Sequence, residues 1–261
     1  MRMKNKPLII FALVFLLVVF IAVILTPLYK KVPRKIKPIV KGRIAIVIDD
    51  WGYHLDNLAI AGQIKQRLTC AVLPGLKNSR AVSQRLHKLG FEIILHLPME
   101  PKGKLRLEKD TIAVNMGREQ MRRILDKDLT TVIFAKGVSN HMGSRLTEDM
   151  DSSGMILLEI KKRNLYFLDS FVTAKSVCAG LARKIGLRFA RRDVFLDNRD
   201  EPEYIRAQLK SLKNLAHAAG MAVGIGHDRR NTLIVLKEML PQLAKEGYEF
   251  VFVSKIAKVE R

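Results

Sequence analysis

Polar side chains of catalytic type follow the apolar, strand-like runs of this sequence. The pair Asp49-Asp50 follows residues 43–48, and three of the six histidines follow later runs, namely His96, His141 and His227. Because βα-barrels build their active sites at the carboxyl ends of the strands, these side chains are expected to meet at one rim. Histidines scattered over a surface would not concentrate at strand ends. The pattern therefore predicts a catalytic or metal site at that rim.

A metal site is the chemistry that three of these residues fit. Two histidines and one aspartate, here His96, His141 and Asp50, are an ordinary ligand set for hydrolytic zinc, which keeps one coordination position open for water. The sequence therefore predicts a divalent metal, with zinc as the expected ion. Glu100, four residues after His96, is a reserve ligand. A lone strand-end histidine is more often a hydrogen-bonded structural residue, so the prediction depends on the three side chains converging.

Acid–base chemistry is expected from the residues beside this set. Consecutive side chains of a strand alternate in direction, so Asp49 and Asp50 are expected to diverge. One would bind metal while the other acts on water or substrate. His227 follows Gly224 and Gly226, which allow close approach of a ligand. It suits a general acid, with a structural or binding role as the alternative.

Further polar residues at the same strand ends are predicted to support the site. Asp169 and Asp193 are candidates to orient His227 or to bind substrate hydroxyls. Arg192 is a candidate to hold an anionic group or to tune Asp49. The full supporting or substrate-binding set is Asn140, Asp169, Ser170, Arg192 and Asp193.

Alternating strand and helix patterns predict the elements that position these side chains. Continuous β-branched runs indicate strands covered on both faces, and amphipathic segments that end in glycine indicate the helices between them. Strands are predicted at 43–48, 69–73, 91–96, 137–141, 165–169, 187–191, 221–226 and 249–253, with helices near 56–67, 79–89, 117–131, 147–163, 174–185, 201–219 and 231–246. Eight strands in one domain favour a distorted (β/α) barrel of seven to eight parallel strands over an open doubly wound sheet.

The first residues of the sequence predict an export signal. Leu8–Leu25 has 18 residues without a polar side chain, which is just enough to cross a hydrocarbon core of about 30 Å. Residues 1–28 are predicted to form an uncleaved signal-anchor or transmembrane helix, with a cleaved signal as the alternative. Residues 29–41 are predicted to be a basic tether. Residues 42–261 are then a catalytic domain on the periplasmic side of a bacterial-type cytoplasmic membrane.

The net charge of +21 is concentrated near the start of the chain. Residues 1–43 hold ten Lys/Arg and no acid. Such a chain suits anionic lipid or an anionic polymer, with an ordinary solvated surface as the simpler alternative. No nucleic-acid partner is expected, because no recognisable binding motif is present. Cys70 and Cys178 are predicted to be buried free thiols, with a disulfide between them as the alternative.

Six motifs, present in order, resemble those of the divergent polysaccharide deacetylases, which belong to the wider glycoside hydrolase/deacetylase superfamily. They are Ile48–Gly52, His96–Pro101, Asn140–Ser144, Phe167–Ser170, Arg192–Asp197 and Gly224–His227. The resemblance covers nearly all of residues 42–256. It implies a distorted βα-barrel, a divalent metal that is usually zinc, and hydrolysis of the amide bond in an acetylated polysaccharide or peptidoglycan-like substrate.

The resemblance also implies individual roles. Asp49 would be the general base, Asp50 a metal ligand and His227 the general acid. The standard pattern has two metal histidines a few residues apart after one strand, whereas here Glu100 stands downstream of His96. His141 would therefore complete the ligand set from the next strand. The alternative function is a catalytically silent envelope protein that binds glycan or a cell-wall partner.

Overall fold

The computed structural model describes residues 6–25 and 40–259 and divides the chain into two units, Met1–Pro38 and Ile39–Arg261. In the first unit, helix α1 covers Lys6–Leu25, and side chains are described for residues 9–24. Within the described residues, no helix is both long enough and apolar enough to cross a membrane. The transmembrane anchor thus lacks support from the structure. The predicted basic tether, 29–41, lies outside the described residues except for its last two positions.

Residues 40–259, the described part of the second unit, form nine strands and the helices that connect them. The strands are β1 Gly42–Trp51, β2 Thr69–Val72, β3 Glu92–Met99, β4 Ala135–Met142, β5 Tyr166–Asp169, β6 Phe189–Arg191, β7 Val194–Phe195, β8 Met221–His227 and β9 Tyr248–Phe250. The helices are α2 Leu58–Ala61, α3 Ser79–Lys88, α4 Arg118–Thr131, α5 Met150–Lys162, α6 Cys178–Ile185, α7 Pro202–Ala219 and α8 Arg230–Lys245.

The strands form a curled parallel sheet in the order β6-β5-β4-β3-β2-β1-β8-β7. All of its pairings are parallel, which confirms the predicted distorted barrel of parallel strands. Strands β6 and β7 are the two ends of this order, so the described sheet is a half-barrel with a seam between them.

Two predicted elements differ from the structure, and one observed strand was not predicted. The predicted strand 249–253 is the short β9, which pairs only with the first residues of β1, and the eighth strand of the sheet is instead β7. β7 has two residues, too few for a periodic signal. The predicted helix 56–67 is the single turn α2, because Gly62, a poor helix former, follows its last residue.

The two faces of the sheet contact different parts of the molecule. In β1, Ile44, Ile46 and Ile48 belong to the large apolar cluster that includes the helices. Ala45 and Val47 alternate with them and belong to a smaller cluster formed by strands and the C-terminal segment, which is the interior of the half-barrel. Both clusters are almost fully buried, as expected for a parallel sheet covered on both faces.

The C-terminal segment closes the interior at the amino ends of the strands. Val253 N donates to Thr69 Oγ1 at 3.1 Å, and Ser254 N donates to Glu92 Oε1 at 3.1 Å. The same Glu92 oxygen accepts from the Tyr166 hydroxyl at 2.8 Å. A buried carboxylate is tolerated here because several donors satisfy it. At the opposite end, where the strands have their carboxyl ends, the side chains of Asp50, His141 and His227 are partly exposed to solvent.

Gly137→Ala is expected to destabilise the domain. A Cβ atom at this β4 position would lie 2.5 Å from the ring of Tyr166, which fills the interior. Overpacking of this kind costs about 1–3 kcal/mol of unfolding free energy. Thermal or denaturant unfolding measures it. Gly154→Ala in α5 is the control, because nothing lies within 4 Å of its added Cβ. Equal stability of the two variants would contradict this packing.

The predicted state of the two cysteines is confirmed. Cys70 and Cys178 are both buried and free, so the alternative of a disulfide between them is not formed.

Candidate metal centre

Side chains alternate in direction along each strand, and this alternation places the candidate residues on the interior face at the rim. Asp49 follows Ala45 and Val47 at alternating positions of β1, and it is buried. His96 follows the interior residue Ile94 in the same way on β3. His227, on β8, is the register partner of Asp49 on the adjacent strand. The predicted meeting of these side chains at one rim is therefore what the fold produces.

Asp50 breaks the alternation, which corrects the prediction that the two aspartates diverge. Its φ of +64° lies in the left-handed region, and the register between β1 and β2 shifts between Ile48 and Trp51. This bulge turns the Asp50 side chain toward the same rim as Asp49. The His96 Nε2 atom lies 3.5 Å from Asp49 Oδ2 and 3.3 Å from Asp50 Oδ1. Both carboxylates thus face one imidazole.

Asp50, His96 and His141 form a group whose donor atoms all lie within 4.8 Å of one another. Asp50 Oδ1 lies 3.3 Å from His96 Nε2 and 3.0 Å from His141 Nδ1. Two ligand atoms around a tetrahedral zinc, each about 2.0–2.1 Å from the ion, stand about 3.3 Å apart. Asp50 Oδ1 is buried and has no well-directed hydrogen bond within the described residues. The donor set, its spacing and this orphaned oxygen all fit a small divalent cation.

Ser139 fixes the orientation of His96. Its hydroxyl lies 2.8 Å from His96 Nδ1, inside the barrel, which leaves Nε2 directed at the two aspartates. A hydrogen bond to the second ring nitrogen sets the tautomer and rotation of a metal-binding histidine. Ser139 was not among the predicted residues. Its position directly across from His96 in the β3–β4 register is what brings the two together.

Asp197 is the carboxylate that orients His227, which corrects the prediction of Asp169 or Asp193. The His227 Nδ1 atom lies 2.7 Å from Asp197 Oδ1, and Asp197 is fully buried. The other Asp197 oxygen accepts from His227 N at 2.8 Å and from the Thr232 hydroxyl at 2.6 Å. The carboxylate is therefore fixed by three contacts, and His227 presents its Nε2 edge away from Asp197.

The charges at the rim perturb one another. Burial raises the pKa of Asp49, although the neighbouring His96 and His227 oppose the rise. Burial would also raise the pKa of Asp50, but the imidazoles of His141 and His96 hold it well below its usual range. Burial disfavours protonated His227, yet the Asp197 carboxylate overcomes this and raises the pKa of the imidazole. The rim thus pairs two acids of different proton affinity with a histidine that favours its protonated form.

Three predicted supporting residues bind one another or their own loop. Asn140 Oδ1 accepts from Ser170 N at 2.8 Å, and the Ser170 hydroxyl donates to Asn140 O at 2.9 Å. Asp169 accepts from Phe171 N at 2.8 Å and from the Ser176 hydroxyl at 2.7 Å. These contacts tie the ends of β4 and β5 together below the rim, so the residues shape the loops.

The other predicted supporting residues are likewise engaged. Arg192 donates to the backbone oxygens of Ser170 and Phe171, both at 2.7 Å, with its guanidinium over the Phe195 ring at 3.7 Å. Asp193, which lies between β6 and β7 in the chain, accepts from Val223 N of β8 at 2.7 Å. Phe195 in turn stacks on His227, with ring centroids 6.0 Å apart. Arg192 therefore acts on the rim through Phe195.

Glu100, the predicted reserve ligand, lies outside the group of donor atoms. Its Oε1 accepts from Arg145 at 2.7 Å and its Oε2 accepts from Val114 N at 2.8 Å. Both carboxylate oxygens are therefore used in holding the loop after β3.

The family model described as "Divergent polysaccharide deacetylase" matches residues 46–257, which include every residue of the rim. The chain belongs to the divergent polysaccharide deacetylase family.

Two relatives of this deacetylase-family chain are about one third identical to it over the aligned residues. YibQ of Escherichia coli K12 is 34% identical over 208 residues, which is 79% of this chain and 65% of YibQ. A protein of Haemophilus influenzae is 32% identical over 206 residues, covering 79% of this chain and 74% of that one. The matched part thus spans slightly less than two thirds of the length of YibQ.

Solved structures show the same fold. ATU2773 of Agrobacterium tumefaciens superimposes with a TM-score of 0.78 at 24% identity, covering 82% of this chain and 89% of that one. A family 4 carbohydrate esterase of Streptomyces lividans, in complex with acetate, superimposes with a TM-score of 0.56 at 13% identity, covering 85% and 98%. At these identities the likeness establishes the architecture of the deacetylase-family chain alone.

Proposed function

We propose that this divergent polysaccharide deacetylase removes acetyl groups from a cell-envelope polysaccharide by metal-dependent hydrolysis. The observation that carries the proposal is the convergence of Asp50, His96 and His141 at the open rim. The similar esterase fold was solved with acetate, the acid that deacetylation releases. Zinc is the proposed ion because one carboxylate and two imidazoles are donors that suit it. The envelope location rests on the apolar run Leu8–Leu25 of the sequence.

Asp50, His96 and His141 would hold the ion, and Asp49 and His227 would move the protons. A bound divalent cation supplies Lewis-acid polarisation of the acyl carbonyl and activation of water. Asp49 is the group that accepts a proton from the attacking water, since its Oδ1 is buried without a partner in the described structure. His227, held protonated by Asp197, gives its proton to the departing amine nitrogen.

The loop after β3 borders the site and offers a surface for a polymer. The Tyr53 hydroxyl donates to the Glu108 carboxylate and so joins the first loop of the rim to residues 101–115. Tyr53 is exposed, and the charge of Asp50 contributes to raising the pKa of its hydroxyl after burial and the Glu108 hydrogen bond. Residues 101–115 therefore lie beside the loop that follows Asp50, where they would contact a sugar chain.

Acetate release from acetylated peptidoglycan fragments or oligosaccharides tests the proposal. The full chain loaded with zinc is expected to release acetate, to lose the activity in a chelator and to regain it when zinc is restored. A chain that binds zinc and the glycan without releasing acetate would contradict hydrolysis and favour the alternative of a silent glycan-binding protein.

Asp197→Asn is expected to shift the high-pH limit of activity downward. The carboxylate raises the pKa of His227, so its loss lowers that pKa, and a general acid acts only below its pKa. The decline of activity on the alkaline side of the pH profile would therefore begin at a lower pH than in the parent. Above that limit activity would fall by up to about 10²- to 10⁴-fold, the contribution of acid catalysis. The pH profile of kcat/KM and an NMR titration of the His227 ring measure the shift.

Asp169→Asn is the matched control for this pH shift, because its carboxylate contacts Phe171 and Ser176 and does not contact His227. The same shift in both variants, or none in Asp197→Asn, would remove His227 from the role of acid.

A further inference from the structure

The end of the half-barrel opposite the metal centre carries a dense group of cations and two aromatic rings. This basal face lies at the amino ends of the strands and under the C-terminal segment. Its residues are Lys41, Arg43, Arg67, Phe134, Lys136, Arg188, Phe252, Lys255 and Lys258. None of them belongs to the rim or takes part in the chemistry proposed above.

Most cations of the basal face have no acidic partner in the described part of the chain. Arg43 pairs with Glu249 at 3.2 Å. No ion pair is formed there by the five exposed residues Lys41, Arg67, Lys136, Lys255 and Lys258. Glu249 offsets one of these charges, and the basal face keeps an excess of positive charge that is left for an external partner.

Two phenylalanines lie on the basal face, Phe134 exposed and Phe252 partly buried. Phe134 is 46% exposed with a φ of +70°, a conformation that is costly for a bulky residue, and its ring stacks on His87 at 4.0 Å. Phe252 lies under the Arg67 guanidinium, 6.0 Å from ring to cation. Grooves of about 370 and 360 Å³ flank Phe252, and basic side chains line both.

We propose that the basal face binds the surface of an anionic phospholipid bilayer. Phenylalanine side chains on a basic surface can enter the boundary between headgroups and acyl chains, and clustered lysines and arginines are attracted to anionic lipid. A second copy of this chain would bring the same positive sign, so it does not fit this face. Binding of lipid by this face does not depend on whether the metal centre is active.

The direction of the chain supports the same partner. β1 begins at the basal face, where Lys41 N donates to Gly247 O at 3.0 Å. The preceding segment, residues 26–41, contains six Lys/Arg and no acid, namely Lys30, Lys31, Arg34, Lys35, Lys37 and Lys41. The segment that leads to β1 is therefore basic, like the basal face at which β1 begins. The rim would stand about 25–30 Å from the lipid, given about 3.3 Å per residue along β1.

Depth-dependent quenching on vesicles tests the orientation. A fluorophore is placed at Lys136→Cys on the basal face and, in a second variant, at Lys104→Cys in the exposed loop after β3. The native cysteines are buried, so labelling is selective. With headgroup spin-labelled lipid, the full chain on phosphatidylcholine vesicles that contain phosphatidylglycerol is expected to show a quenched basal label and an unquenched rim label. On phosphatidylcholine alone the difference should vanish.

The charge dependence is tested with a matched pair of variants, each carrying the basal label at Arg67→Cys. Lys136→Glu/Lys255→Glu is expected to lower the docking equilibrium, read from the quenched fraction, by at least about 25-fold, since each cation contributes roughly fivefold. Lys104→Glu/Lys109→Glu changes the net charge equally and should leave it nearly unaltered. Equal quenching of basal and rim labels on anionic vesicles would overturn the proposal. The proposal would also be overturned if the basal label responded to duplex DNA and did not respond to the vesicles.

Discussion

Replacing Asp49 by asparagine is expected to lower kcat/KM for acetate release by about 10²- to 10⁴-fold while zinc affinity stays within a few fold of the parent. An asparagine has the same shape but cannot accept the proton that the buried carboxylate would take from water. The zinc ligands are unchanged, because the donor group consists of Asp50, His96 and His141. Steady-state kinetics and a zinc-binding isotherm on the same preparation separate the two quantities.

Asp56→Asn is the control for the lost negative charge. Asp56 is exposed in the loop that follows β1. Its replacement by asparagine therefore removes one negative charge near the rim without altering the contacts of His96. Full activity is expected. If Asp49→Asn also kept full activity, Asp49 would not be the base; if it lost zinc as well, Asp49 would belong to the ligand set.

Replacing His96 by alanine is expected to abolish zinc binding in the micromolar range. His96 supplies one of the three donor atoms, and its Nε2 lies 3.3 Å from Asp50 Oδ1. Loss of a group that only orients a ligand already weakens metal affinity by about 10- to 100-fold, so loss of the ligand itself should exceed about 100-fold. Isothermal titration with zinc measures the change, and activity should disappear in parallel.

A graded series makes this prediction specific. Ser139→Ala removes the hydrogen bond to His96 Nδ1 and is expected to weaken zinc binding by about 10- to 100-fold. His54→Ala removes an exposed histidine of the neighbouring loop and should leave the affinity unchanged. An order of effects other than His96, then Ser139, then His54 would contradict the assigned geometry.

The fold and most of the rim followed from strand periodicity. Continuous apolar runs identified the long strands, and alternation along them placed Asp49, His96 and His227 on one face. Parallel strands with their carboxyl ends together then brought the three side chains to one rim. This inference needs only local patterns and one topological rule, which is why it succeeds without knowledge of the loops.

The finer parts of the site depend on geometry that periodicity does not encode. The left-handed backbone at Asp50 reverses the direction of one side chain, and nothing in the sequence Ile48-Asp49-Asp50-Trp51 specifies it. Asp197 reaches His227 from the loop after β7, a strand of two residues that leaves no periodic signal. Asp169 and Asp193 do not orient His227 for the same reason, since loop residues satisfy nearby backbone groups first. Their binding of substrate hydroxyls stays a prediction.

Anomalous scattering at the zinc edge, measured on crystals of the zinc-loaded full chain, tests the central claim most directly. We expect one ion per chain, about 2.0–2.2 Å from Asp50 Oδ1, His96 Nε2 and His141 Nδ1, with a remaining position open to solvent. A peak at any other place, or a fully loaded crystal in which these three side chains contact no metal, would contradict a metal-dependent hydrolase built on this rim.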